Sequence, residues 1–160
     1  MIALKLLIIL YCLVIAYEDF KERAVIWIVF PVLGICMGLL HLLNSSVESF
    51  FLFGLTNTLM ISAIILILFL YTKYVTKKQF LNTSLGLGDI LFFYALGIGF
   101  PPFTFVVIFT AAMLFSLLFF VLSKKLKKQG TVPLAGLMGI FLIAVITASF
   151  FTFTPPLFII

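Results

Sequence analysis

The chain has 160 residues, of which 65 % are apolar and only 9 % charged, and its mean hydropathy is +1.40. A soluble domain carries about 45–50 % apolar and about 25 % charged residues, and a globule this small cannot hide so much apolar surface from water, so a soluble enzyme and a disordered binding segment are excluded. The net charge is +5, from ten Lys/Arg against five Asp/Glu, but no Arg–aromatic patch suits nucleic acid, and an integral membrane protein with lipid as its surroundings is expected.

A helix needs about 20 apolar residues to cross a hydrocarbon core about 30 Å thick. Charge-poor stretches predict six such segments. The first, residues 2–17, is short. Lys5 and the run behind it look like a signal peptide, but no A-x-A site precedes Glu18 and the rest of the chain is equally apolar, so a retained span is expected. The second, residues 25–43, carries Pro31 one turn in, where a kink is expected. Its Gly34 and Gly38 form a small-residue pair suited to close helix packing. The third covers residues 50–71. The fourth runs from Gly86 to Pro101-Pro102, and the fifth covers residues 103–122. The sixth, residues 132–153, holds a second small pair, Ala135 and Gly139. The connections leave no room for an extramembrane domain. The predicted fold is an all-α membrane protein, one domain over residues 1–160, built as a six-transmembrane-helix bundle with short loops.

Nine of the ten basic residues fall in alternate loops. Lys21 and Arg23 follow segment one. Lys73, Lys77 and Lys78 follow segment three. Lys124, Lys125, Lys127 and Lys128 follow segment five. The positive-inside rule then puts these loops in the cytoplasm and both termini outside it. Cys12 and Cys36 lie in apolar runs, form no CxxC and have no His at metal spacing, so neither metal nor other cofactor is expected. His41, at the end of an apolar run, is expected at the interface.

The acids are Glu18, Asp19, Glu22, Glu48 and Asp89. Asp89 is the one charge between Lys78 and Lys124. An aspartate facing hydrocarbon costs about 2.5–3.5 kcal/mol or more. One reading makes Asp89 the cap of segment four, favoured there by the helix dipole. Gly86 and Gly88 suggest more, because two glycines weaken the helix and let another backbone approach a buried carboxylate. Asp19 ends segment one, within the cluster of Glu18, Lys21, Glu22 and Arg23. It is either a solvated interfacial charge or the partner of Asp89, since both fall at the cytoplasmic edge. Glu48 falls on the opposite face. Two carboxylates that meet in a low-dielectric site cannot easily both ionise, so one holds a proton while the other activates water. That is aspartyl protease chemistry, which needs no metal, serine or cofactor. A Ser/His/Asp site is disfavoured, because His41 is on the wrong side and no G-x-S-x-G occurs.

Gly86-Leu87-Gly88-Asp89 resembles the G-x-G-D signature of intramembrane aspartyl proteases. Asp19-Phe20-Lys21-Glu22-Arg23, after the first span, resembles the other motif of type IV prepilin peptidases. The resemblance covers most of the chain in order, spacing and topology. Thr131-Val132-Pro133-Leu134-Ala135-Gly136 resembles a Pro-containing stretch at the last span of that family. Val25-Ile26-Trp27 departs from the usual Ile-Pro-Asn, and Leu91 stands where Lys is frequent. The chain lacks the extension with two CxxC pairs that accompanies N-methyltransferase activity, so the resemblance implies a short, peptidase-only form. It further implies a multi-pass protein of the cytoplasmic membrane, with Asp19 and Asp89 as catalytic residues and pilin-like precursors as partners. Glu18 and Glu22 would either attract the basic leader or balance Lys21 and Arg23, and Gly86 and Gly88 would admit substrate backbone. A presenilin or signal-peptide-peptidase relative is an alternative, although two spans separate the acids here. A small proton or ion pathway with Asp89 as relay, or a structural membrane subunit whose acids are caps and ion pairs, are the alternatives outside proteolysis.

Overall fold

The computed structural model describes residues 1–76, 86–123 and 132–150. These residues form six α-helices and a short π-helical turn, with no strand among them. The helices are α1 (Ile2–Glu22), α2 (Val29–Leu42), α3 (Val47–Tyr71, continued by the π turn Thr72–Thr76), α4 (Leu87–Ile98), α5 (Pro102–Leu122) and α6 (Leu134–Ala148). Each expected segment corresponds to one helix. The lysines at 77, 78, 124, 125, 127 and 128, together with Ser84, Leu85 and Thr131, lie outside the described residues.

Among the described residues two helices are long and apolar enough to cross a membrane, Val47–Tyr74, which takes in part of the π turn, and Pro102–Leu122. Both expose Leu, Ile and Phe along much of their length, for example Phe51, Leu59, Ile67, Phe103 and Leu118. Such continuous apolar surface suggests a membrane protein. α2, α4 and α6 are equally apolar but have only 14, 12 and 15 residues. α1 has 21 residues but carries Lys5 at one end and Glu18, Asp19, Lys21 and Glu22 at the other.

Helix starts and stops follow local chemistry. α1 continues through its charged end to Arg23, which adopts the left-handed conformation (φ 57°) and stops it. That geometry costs a non-glycine residue about 1–2 kcal/mol. Residues 24–26 then run without helix before a turn at Trp27-Ile28. α2 therefore begins at Val29 rather than at residue 25, which changes the role of Pro31. Pro31 lies in the first turn, where its missing N–H has no helical acceptor to lose, so it helps start α2 and the expected kink is not required. Ser46 caps α3 by accepting the Ser49 N–H at 3.3 Å, with Glu48 in the first turn.

Contacts set the directions of the helices. Lys5 Nζ meets Ser149 O and Oγ at 3.1 and 2.9 Å, so the start of α1 lies at the end of α6. A Cβ at Gly88 would touch Phe30, while one at Gly38 would touch Ile98, so α2 and α4 run parallel. Ser62 bonds Tyr94 at 2.9 Å and Asn57 bonds Gly97, so α3 is antiparallel to α4. Phe93 packs on Phe109 and Gly97 lies against Phe105, so α5 is antiparallel to it as well. The main packed pairs are α1 with α6 and α2 with α4. Small residues bring their backbones close, with Gly139 against Cys12 O and Gly34 against Ala95. The core is formed by Ile8, Cys12 and Ile15 of α1, Phe30, Leu33 and Met37 of α2, Phe92 and Leu96 of α4, and Met138 and Leu142 of α6.

α4 is too short to reach far, and the break Gly99–Phe100–Pro101 that follows it is buried. Its last carbonyls are met by side chains from other helices. Asn57 Nδ2 donates to Gly97 O at 2.7 Å and to Phe100 O at 2.8 Å. His41 Nδ1 donates to Ile98 O at 2.9 Å. These bonds answer the unsatisfied acceptors that every helix end carries. His41, expected at the interface from its place at the end of an apolar run, is fully buried in the last turn of α2. A carbonyl acceptor inside the bundle captures it.

Candidate active site

The functional candidates converge on the first turn of α6. Val132, Pro133 and Leu134 make a tight turn in which the Leu134 N–H donates to Val132 O at 2.9 Å. Pro133, with φ −75° and ψ 75°, is its centre. Regular helical bonding begins when the Leu137 N–H donates to Pro133 O at 3.0 Å. Two first-turn amides remain between these bonds, those of Ala135 and Gly136. Ala135 N–H donates to Asp89 Oδ1 at 2.9 Å, and Gly136 N–H donates to Asp19 Oδ2 at 2.7 Å. Two acids 70 positions apart thus rest on consecutive amides, at the positive end of a helix dipole. Both are half-buried and close enough to interact electrostatically.

Each acid also has local support. Asp89 is the third residue of α4, and its Oδ2 accepts the Gly86 N–H at 3.2 Å. It therefore closes the start of its own helix, as the cap reading expects, and bonds α6 at the same time. Asp19 sits one turn before Arg23, whose charge reaches it. Among the described residues Asp19 Oδ1 receives no hydrogen bond.

The remaining candidates are placed as follows. Gly86 is the cap residue of α4 and points its open side at Asp89, whose Oδ2 would lie 3.1 Å from an added Cβ. Gly88 faces Phe30, whose Cζ would lie 3.2 Å from an added Cβ, so here a ring occupies the space beside that glycine. The Glu18 carboxylate accepts the Ile26 N–H at 3.0 Å and pins the segment after α1. Glu22 is exposed and pairs with Lys21 at 3.6 Å. The structure thus gathers Asp19, Asp89 and Gly86 around one point and leaves Glu18 and Glu22 at its margin. Among the described residues no three His, Cys, Asp or Glu side chains gather as a metal ion would require.

Sequence inspection missed the amides of Ala135 and Gly136, because a backbone donor has no side-chain signature. The available signal was a proline followed two and three positions later by the smallest residues, at the start of an apolar run. Gly136 is needed for space, since an added Cβ would lie 3.0 Å from Asp19 Oδ2 and 3.4 Å from Ala16 Cα. Asn57 was missed too, as one amide within an apolar helix. No family model, curated protein or solved structure matches the chain.

Proposed function

We propose that the chain is a membrane-embedded aspartyl endopeptidase that removes the short basic leader of type IV pilin-like precursors at the cytoplasmic membrane face. In this proposal six helices cross the membrane and both termini lie outside the cytoplasm. The carrying observation is the meeting of Asp19 and Asp89 on consecutive amides of α6. Convergence from α1 and α4 on one helix start supports this reading, since it sets the two carboxylates side by side. The substrate class comes from the resemblance of the two acidic motifs to prepilin peptidases.

The chemistry requires the pair to share one proton. The ionised carboxylate takes a proton from water as the water oxygen bonds to the scissile carbonyl carbon. The protonated partner gives its proton to the carbonyl oxygen, which leaves a neutral tetrahedral intermediate. The C–N bond then breaks. Its nitrogen receives the proton first taken from water, and the partner regains a proton from one of the two hydroxyls of the intermediate, which becomes the new acid. The α6 amides hold the two carboxylates in register throughout, which is positioning by preorganised donors.

The test is cleavage of a pilin-like precursor by wild type, Asp19→Asn and Asp89→Asn in detergent or vesicles. Asp19→Asn can keep the Gly136 bond through its one carbonyl oxygen, whereas Asp89→Asn must give up either the Ala135 or the Gly86 bond, so folding is checked for each variant while proton transfer is lost. Activity is expected to fall by at least about a hundredfold in each. Near-normal cleavage by either folded variant would refute the dyad.

A further inference from the structure

α2 and α4 run side by side and leave a groove of about 550 Å³ along their outer seam. Ligand sites occupy about 300–1,000 Å³, so this one has room for an occupant. Its floor is made of buried small residues, Gly34 and Gly38 of α2 and Ala95 of α4. Its α2 rim is made of Pro31, Ile35 and Leu39, all exposed. No charged side chain lines it, and the hydroxyl of Tyr94, its one polar side-chain group, is bonded to Ser62 Oγ at 2.9 Å. The groove therefore offers carbon surface and close backbone approach.

The groove starts level with the first turn of α4 and leads away from the acids. Phe30 lines its near end, and the same ring fills the space beside Gly88, the residue before Asp89. Leu42 and Ile98 line its far end. From Pro31 to Leu42 is about 16 Å of helix. Asp89 itself points the other way, into the bundle toward Ala135. A chain seated in the groove reaches the acids by passing the Phe30 ring and crossing the start of α4, where Gly86 and Gly88 carry no side chain to bar it.

These features select among occupants. In the reaction proposed above, the leader is cut off at the acids and the rest of the precursor leads away from them. A groove that begins beside the acids and continues along α2 and α4 follows that remaining chain. Its carbon lining fits a segment that lies in hydrocarbon. A lipid tail would fit the lining too, but it has no rigid backbone to gain from a floor of small residues. We propose that the α2–α4 groove seats an apolar helical segment of the precursor, the one that follows the cleavage site, and that this segment passes Phe30 to present the scissile bond to Asp19 and Asp89. The proposal deepens the peptidase reading and rests on it.

The test is steady-state cleavage of a membrane-inserted precursor by the full chain in phosphatidylcholine vesicles, with KM read as the mole fraction of precursor in the bilayer. Ile35→Trp and Leu39→Trp put a larger ring at the rim without entering the core. Each is expected to raise KM by about tenfold and to leave kcat within about twofold, because only binding is lost. Leu118→Trp, on the exposed face of α5, is expected to change neither. In Asp89→Asn, which holds the precursor uncut, a photoreactive phenylalanine analogue at position 39 should cross-link to the apolar segment of the precursor, and one at position 118 should not. A KM within about twofold of wild type in both rim variants would overturn the groove while leaving the acid pair intact. Cross-links from position 39 to lipid alone, or to a second copy of the chain alone, would do the same. Loss of kcat with KM unchanged would also overturn it, since that marks a disturbed site rather than a lost seat. If wild type cleaves nothing, the peptidase reading and this proposal fall together.

Discussion

Gly136→Ala is the substitution that most directly probes how α6 holds the acids. The added Cβ would lie 3.0 Å from Asp19 Oδ2, 3.2 Å from Asp19 Cβ and 3.4 Å from Ala16 Cα. The last two atoms are tied to the α1 backbone, so a rotamer change cannot relieve the crowding. α6 must move off α1, and that motion stretches the 2.7 Å bond from Gly136 N–H to Asp19. Overpacking of this kind costs about 1–3 kcal/mol, and weakening a hydrogen bond to a charged group costs about 1.5–3 kcal/mol. Helix propensity returns at most about 1 kcal/mol. The expected net loss is about 2–4 kcal/mol of stability, accompanied by a fall in precursor cleavage. Gly54→Ala is the control, since nothing lies within 4 Å of its added Cβ; it is expected to gain up to about 1 kcal/mol. Reversible unfolding in mixed micelles, scored with the cleavage assay, measures both. If Gly136→Ala unfolds within about 0.5 kcal/mol of wild type and cleaves normally, the α6 amide does not hold Asp19. A destabilised variant with full cleavage would leave that bond a structural role only.

The remaining expectations concern the far end of the bundle. Asn57→Leu removes the buried donor to Gly97 O and Phe100 O; a loss of about 2–4 kcal/mol is expected in the same unfolding assay. Asn57→Asp should be worse than Leu, because it aims an acceptor at two acceptors. Lys5→Met removes the cation at the end of α6, beside Ser149 and Phe150. It should cost about 1 kcal/mol and leave cleavage unchanged, since the acids lie at the other end. A drop in cleavage as large as that of the aspartate variants would contradict this placement.

What was legible in the sequence was the set of apolar runs and the two exceptional acids. Their order survives because hydropathy decides which stretches pack as helices in an all-apolar chain. The boundaries shifted where local chemistry competes with hydropathy. α1 runs on to Glu22 because charges at a helix end do not stop it; a left-handed Arg23 does. α2 starts late because Pro31 favours a first turn over a helix interior. The burial of His41 was not legible because its acceptor, Ile98 O, is 57 residues away and invisible in composition. The pairing of Asp19 with Asp89 was argued from depth alone. What joins them, two amides of α6, belongs to the backbone and carries no residue code. Gly88 shows the converse limit, since a glycine suggests room but the chain fills that room with Phe30.

The buried end of α4 bears on how the chain is made. A twelve-residue helix is about 18 Å long, well short of the hydrocarbon thickness a lone span must cover. Released into lipid with the break that follows it, it would lose the donors that receive Gly97 O, Ile98 O and Phe100 O. The donors that receive them, His41 and Asn57, both precede α4 in the chain. Translation therefore delivers the two receiving helices first, and α4 enters against partners already in place. A permuted chain that began at α4 would reverse this schedule and leave the helix waiting for donors not yet synthesised. The linear order of the helices is in this respect an assembly instruction.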